Sequence, residues 1–263
     1  MDPRIRRRRV EVQRQEGRRR LRVLVGITAV VAVGCGGWAV TGSPLLDVDH
    51  VVVDGSTRTP VADVVAATRI RAGRPMVDVD VRGAERAVDA LPWVQRATVH
   101  RQWPGRVRVM VTERTPVAVT GAADGASALV DASGRVLAEV DAPPAGLAAL
   151  AGLPPAGRPG SVLAPEGIAA LSVALALPAE LRDRTAGVAP TSGSAGEVEL
   201  HLAPGGTIRL GPPDHLQAKF DAIRAVMAQV DLRNLAVLDV RRPDSPVLTR
   251  RETPTKVSTP RAG

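Results

Sequence analysis

The first 46 residues constrain this chain more than anything after them. Residues 1–22 carry ten arginines (Arg4, Arg6, Arg7, Arg8, Arg9, Arg14, Arg18, Arg19, Arg20 and Arg22) against Asp2, Glu11 and Glu16, a net +7. The next 24 residues, 23–46, hold no charged side chain. A helix rises ~1.5 Å per residue, so that stretch reaches ~36 Å, more than the ~30 Å hydrocarbon core of a bilayer. The sequence therefore predicts a single transmembrane helix over 23–46. Arginine resists translocation, which holds residues 1–22 in the cytoplasm as a basic tail and sends the remainder out of it. The expected location is the plasma membrane, N-terminus inside and C-terminus outside.

A cleaved signal peptide is the rival reading, with Val40-Thr41-Gly42 as its cleavage site. Its apolar region, however, would usually run only ~7–15 residues. Trp38 suits the outer aromatic belt, and Thr28, Ala32 and Gly36 put small residues on one helix face. The net charge of +8 invites a nucleic-acid function, but the tail supplies +7 of it. Residues 23–263 are almost neutral and offer no basic platform; the tail itself suits anionic lipid. The single cysteine, Cys35, lies inside the expected span, so no disulfide braces the exported part.

Residues 47–115 read as one domain and 116–251 as another, with a disordered Thr/Pro/Ser-rich tail over 252–263. In the first, Asp47 to Asp54 alternates as a strand does and turns at Asp54-Gly55. Thr59 is placed to cap a helix with Pro60 at its first position, and Val61, Val64, Val65 and Thr68 share a face. Ala84, Ala87, Val88 and Leu91 mark a second helix, which Pro92 ends. Val94 to Arg101 is strand-like. After the turn at Trp103-Pro104-Gly105, Val107, Val109 and Val111 alternate with Arg106, Arg108, Met110 and Thr112. The order is β-α-α-β-β, an α+β sheet with helices on one face.

In the second domain, Val117 to Thr120, Ala128 to Asp131 and Arg135 to Val140 read as strands, with Asp131-Ala132-Ser133-Gly134 as a hairpin turn. Residues 141–165 are proline-rich and lack periodicity, which predicts a loop. Pro165 opens a helix to about Leu177. Glu197 to Leu202 and Thr207 to Leu210 flank Pro204-Gly205-Gly206 as a hairpin. Asp214 is placed to cap a helix, with Gln217 at its third position and Leu216, Phe220, Ile223, Met227 and Val230 as its buried stripe. Leu235 to Arg241 and Pro246 to Arg250 complete the set of strands.

Several short strings are recognisable in order. Val53-Asp54-Gly55, Gly73-Arg74-Pro75-Met76, Leu91-Pro92-Trp93-Val94, Arg101-Gln102-Trp103-Pro104 and Val111-Thr112-Glu113-Arg114-Thr115-Pro116 resemble the POTRA domain of the FtsQ/DivIB family of bacterial cell-division proteins. The resemblance continues through Leu129-Val130-Asp131-Ala132-Ser133-Gly134-Arg135-Val136 to Leu238-Asp239-Val240-Arg241, roughly residues 20–250. It implies a single transmembrane helix, a POTRA domain and a second mixed β-rich domain. It also implies a non-enzymatic divisome scaffold in septum formation, enriched at the division septum and docked through strand edges. The implied partners are FtsB/DivIC-like and FtsL-like coiled-coil proteins and, through them, septal peptidoglycan synthases.

The implied docking strand is the last one, where Ser245, Val247, Leu248, Thr249 and Arg250 would pair with an extended partner segment. Arg241 and Arg242 would add charge. Unlike better-known relatives, this chain follows Arg241 with Arg242-Pro243-Asp244 and no aromatic residue. The strand at Arg106 to Thr112 is the second candidate edge.

Catalytic chemistry has little support. His50, His100, His201 and His215 are far apart without ligand spacing, so neither metal nor cofactor is expected. Asp78 and Asp80 share a face of an extended segment, but nothing argues for a shifted carboxyl. No G-x-S-x-G, P-loop or dinucleotide fingerprint occurs outside the expected span. Trp93 and Trp103 are expected to pack beneath the sheet. Two rival functions stand beside the scaffold: a POTRA-bearing accessory of polypeptide transport, and an unrecognised cell-wall enzyme.

Overall fold

The computed structural model describes residues 22–35, 46–194, 196–229 and 235–250. Residues 22–35 form an exposed helix, α1. Among the described residues no helix is both long and apolar enough to cross a membrane. The fourteen residues of α1 reach only ~21 Å, and 36–45, which would complete the expected span, lie outside the described residues. So do residues 1–21, Trp38, Val230 and 252–263.

The chain divides into two compact units. One takes in residues up to Val88 with Arg96–Val111, the other Asp89–Gln95 with residues from Thr112 onward. In the first, β1 (His50–Asp54), α2 (Val61–Thr68), a 3-10 turn at Met76–Asp78, α3 (Val81–Asp89), β2 (Val94–Gln102) and β3 (Arg106–Glu113) realise the expected β-α-α-β-β order. The sheet runs β1-β3-β2, with β1 parallel to β3 in the register Val51↔Val107 and Val53↔Val109. Val107, Val109 and Val111 point into the core while Arg106, Met110 and Thr112 face solvent, as the alternation requires.

Local details differ from the sequence reading at the helix starts. Pro60, not Thr59, takes the N-cap position of α2, its carbonyl receiving the N–H groups of Asp63 and Val64 at 3.0 and 3.2 Å. The helix buries Val64 and Thr68 but leaves Val61, its first residue, exposed. Asp80 is not half of a carboxylate pair on a strand. It caps α3, accepting the Gly83 N–H at 2.9 Å.

The second unit holds β4 (Pro116–Gly121), β5 (Ser127–Asp131), β6 (Val136–Val140), β7 (Ala148–Ala149), α4 (Pro165–Ala176), α5 (Ala179–Arg182), β8 (Thr185–Pro190), β9 (Val198–Leu202), β10 (Thr207–Gly211), α6 (Leu216–Met227), β11 (Leu235–Asp239) and β12 (Val247–Arg250). They form two ladders, β6-β5-β4-β7 and β12-β11-β10-β9-β8, joined by a bridge between Leu150 and Val188. The stretch expected as a plain loop supplies β7, which runs parallel to β4. β10 and β11 are parallel, and α6 is the crossover that such a pair needs.

The core lies between helices and strands. Leu171, Val173 and Ala174 from α4 and Phe220 and Ile223 from α6 meet Val198, Leu200, Ile208, Leu210, Leu235 and Leu238. On β9 and β10 these buried residues alternate with Glu199, His201 and Arg209, the pattern of a sheet with one covered face. The expected Asp214 cap is not made. His215, in left-handed backbone (φ 46), is the N-cap residue of α6. Asp214 instead pairs with Lys219 Nζ at 2.6 Å.

Candidate functional site

The carboxyl-terminal hairpin is built around Asp239. At the end of β11 its Oδ1 accepts the Arg241 N–H at 3.1 Å, while the Arg241 guanidinium reaches the same carboxylate through Nε (3.1 and 3.0 Å) and Nη2 (2.7 Å). That charge-assisted bonding holds the Asp239 carboxyl below its ordinary range and raises the Arg241 guanidinium above its own. Val240 is fully buried and donates its N–H to Arg209 O at 3.0 Å, extending the pairing with β10. Gly211 (φ +71) lies against the Arg241 stem, where a Cβ would collide. The turn then closes with the Ser245 N–H on Arg242 O at 3.1 Å.

β12 follows as the end strand of its ladder. It is antiparallel to β11, with Asp239↔Val247, Leu238↔Leu248 and Val237↔Thr249 in register. Leu248 packs against the core cluster and anchors the strand. Val247, 62% exposed, together with Thr249 and Arg250, stands in solvent. Alternate N–H and C=O groups of an end strand point away from its neighbour, so among the described residues β12 offers a short backbone edge.

The predicted docking residues therefore divide into three groups. Val247, Leu248, Thr249 and Arg250 form the strand itself; Arg242 and Ser245 lie in the exposed turn before it; Arg241 is committed to Asp239. Ser245 is not part of the strand, because its N–H already closes the turn. Sequence reasoning missed Asp239 as the hairpin's organiser, although an Asp two residues before an Arg at a strand end is the available signal.

The second candidate edge is corrected. β3, which contains Arg106 to Thr112, is the central strand of its sheet, with β1 on one side and β2 on the other, and has no free edge. On β2, the outer N–H of Val99 is taken by Glu85 Oε1 from α3 at 2.9 Å.

The histidines are dispersed. His50 accepts from Arg106 Nε at 3.1 Å, His201 pairs with Glu199 at 3.1 Å, and His100 and His215 are exposed. Among the described residues no three His, Cys, Asp or Glu side chains gather to hold a metal. Trp93 is half-buried, but Trp103 is 52% exposed and does not pack beneath the sheet.

A β-α-α-β-β sheet followed by a long mixed sheet backed by helices places the chain in the class of POTRA-bearing proteins with a β-rich second unit. The family described as "POTRA domain, FtsQ-type" matches residues 46–114, and the family described as "Cell division protein FtsQ/DivIB, C-terminal" matches residues 118–241. The chain is 33% identical over 228 residues to the cell division protein FtsQ of Streptomyces collinus, covering 82% of this chain and 84% of that protein. It is 31% identical over 226 residues to that of Mycobacteroides abscessus, covering 86% and 68%. A solved extracytoplasmic domain of the cell division protein DivIB from Geobacillus stearothermophilus matches 46% of this chain and 99% of its own length at a TM-score of 0.30 and 16% identity. The chain belongs to the FtsQ/DivIB family of cell-division proteins.

Proposed function

We propose that this protein is a non-enzymatic scaffold of the division machinery, a bitopic adaptor that acts by holding other proteins rather than by transforming a substrate. Family membership across both units carries the reading. Residues 1–22 lie in the cytoplasm, 23–46 cross the plasma membrane, and 47–251 lie outside and concentrate at the septum. The span confines the partners to one plane, so individually weak contacts combine through high effective concentration.

The β12 edge is the docking site. Val247 to Arg250 receive an extended segment of an FtsB/DivIC-like or FtsL-like coiled-coil protein, with Ser245 in the turn at the strand's entrance, and septal peptidoglycan synthases follow indirectly. Backbone pairing provides the affinity, with Arg242 and Arg250 as exposed cations at the rim. Arg241 contributes by fixing the turn. Imaging a fluorescent fusion in dividing cells tests the reading: a band at midcell is expected, and uniform membrane fluorescence through division overturns it.

A further inference from the structure

The hairpin between β2 and β3 sits where the chain first enters the folded part. Asp49 and His50 both donate their N–H to Gly105 O, at 2.7 and 3.4 Å. Val48 exchanges backbone bonds with the next loop: its N–H goes to Arg74 O and its carbonyl takes the Gly73 N–H, each at 2.8 Å, while Asp47 bridges Pro75. Residues 47–50, 71–75 and 102–106 thus form one end of the first unit. The hairpin is held tightly there, since a Cβ at position 105 would collide with the Asp49 carboxylate and the Asp47 carbonyl.

Trp103 sits on this end, 52% exposed, over a shallow cleft lined by Asp49, His50, Gln102 and Arg106. Arg106 lines the same cleft, and Arg71, Arg74 and Arg101 are exposed on or beside the other segments of this end, against Asp47 and Asp49. Arg101 is tied by its Nη2 to Val79 O at 2.5 Å and Arg106 by its Nε to His50 Nε2 at 3.1 Å, which leaves Arg71 and Arg74 the freer cations. Leu46 is the last residue of the charge-free stretch. Three residues of chain, from Leu46 to Asp49, span at most ~11 Å even fully extended. The headgroup layer extends ~5–8 Å beyond the hydrocarbon on each side. The tether therefore holds this end within ~11 Å of the hydrocarbon, in or just outside the headgroup layer and within reach of the interface where an amphipathic indole is at home.

We propose that this end of the first unit rests on the outer leaflet, with Trp103 seated in the interface and Arg71, Arg74 and Arg106 facing anionic phospholipid headgroups. The occupant is a lipid surface rather than a protein, because the tether supplies lipid at high effective concentration and the net charge of the end is positive. The contact fixes the stance of the POTRA unit on the membrane without a dedicated partner. It rests on the span proposed at 23–46.

The test uses the full chain in bilayers of mixed phosphatidylcholine and phosphatidylglycerol. On a Cys35→Ala background, Gln102→Cys and, separately, Val30→Cys carry an environment-sensitive fluorophore. The expected result is a blue shift at position 102, quenching by shallow brominated lipid and loss of access to aqueous iodide, with deep quenching at position 30. Trp103→Ala, and Arg71→Ser combined with Arg74→Ser, should each reduce the quenching at 102 while circular dichroism stays unchanged. A probe at 102 that stays in water while the one at 30 is quenched overturns this inference alone. If both stay in water, the span falls with it. Quenching at 102 that survives Trp103→Ala, or is equal in pure phosphatidylcholine, also overturns the assignment.

Discussion

Arg114 Nη1 stands 2.5 Å from Asp131 Oδ2, an ion pair whose side chains are 17% and 8% exposed. The same arginine donates its backbone N–H to Trp93 O at 2.7 Å and its Nε to Val94 O at 2.9 Å. The other oxygen of Asp131 takes the Ser133 N–H (2.9 Å), the Ser133 hydroxyl (2.7 Å) and the Arg135 N–H (2.9 Å), and Arg135 Nη2 reaches Ala90 O at 2.7 Å. Two side chains thus tie the segment around Trp93, the β3–β4 junction and the β5–β6 turn together inside the second unit.

Asp131→Asn should destabilise that unit by about 2–4 kcal/mol, because it leaves a partly buried guanidinium without its counter-charge. Burial raises the Asp131 carboxyl, but the bonds from Ser133, Arg114 and the Arg135 and Ser133 amides outweigh it and hold the group below its usual value of 3.8. A folded-state value that is depressed contributes stability above the unfolded value and loses it as pH falls through the folded one. Urea unfolding across the acid range should therefore show a decline below about pH 4 that is shallower in Asp131→Asn. An identical acid profile in both proteins would refute the assignment.

Two glycines in the first unit separate steric from conformational cost. Gly55 (φ +83) lies against the Val111 carbonyl, and an added Cβ would run into it. Gly73 (φ +78) has open space around that position. Gly73→Ala should cost about 1 kcal/mol, the strain of left-handed backbone alone. Gly55→Ala should cost clearly more, since β1 must shift from β3. Thermal unfolding of the two variants checks the order.

The first unit was legible because each element carries its own local signal. The alternation Val107, Val109, Val111 fixes β3, and Ala84 and Val88 fix the face of α3. Sheet order was not legible: nothing local in β3 says that β1, far earlier in sequence, pairs beside it in parallel. That long-range pairing is what closes the edge at Arg106 to Thr112. In the second unit the short strands β7 and β8 escaped notice for a related reason. Ala148–Ala149 has no periodicity, and Thr185–Pro190 begins with small residues and ends in proline. Both are strands because neighbouring strands impose the conformation. At the proposed docking edge the strand was readable from Val247 to Arg250, whereas nothing local in the sequence shows that Arg241 is committed to Asp239.

Lys219 is 2% exposed, with its Nζ between Pro212 O at 2.7 Å and Asp214 Oδ1 at 2.6 Å. The hydrogen bond from Lys219 holds the Asp214 carboxyl below its ordinary range. Removing one partner of a buried charge costs more than replacing the charge itself by an apolar group of similar shape. Asp214→Ala should therefore lower the melting temperature more than Lys219→Met. The reverse order would show that the ammonium's bond to the Pro212 carbonyl, rather than its pairing with Asp214, is what the fold needs at this site.

Strand addition at β12 makes the most specific demand on a variant series. Successive residues of a strand aim their N–H groups at opposite edges, so Thr249 and Arg250, both exposed, address different sides. Proline at the residue facing β11 breaks the internal ladder and destabilises the hairpin. Proline at the other removes an outward donor while the ladder stays intact. Of Thr249→Pro and Arg250→Pro, one should therefore stay folded and bind a small bitopic coiled-coil partner about tenfold more weakly, the loss of roughly one well-made hydrogen bond with its steric clash. Thr249→Ala and Val247→Ala keep their N–H groups and should bind within about twofold of the parent. Arg242→Ala removes only a rim charge, worth about 0–1 kcal/mol, and should weaken capture mainly at low salt. Arg241→Ala should act differently, by loosening the turn that Asp239 holds, and so should raise the mobility of β12 in hydrogen exchange as well as weaken binding. Co-purification of the partner with each variant reads the series. A folded proline variant that captures the partner as well as the parent, together with an unaffected Arg241→Ala, would mean that β12 is not the docking strand.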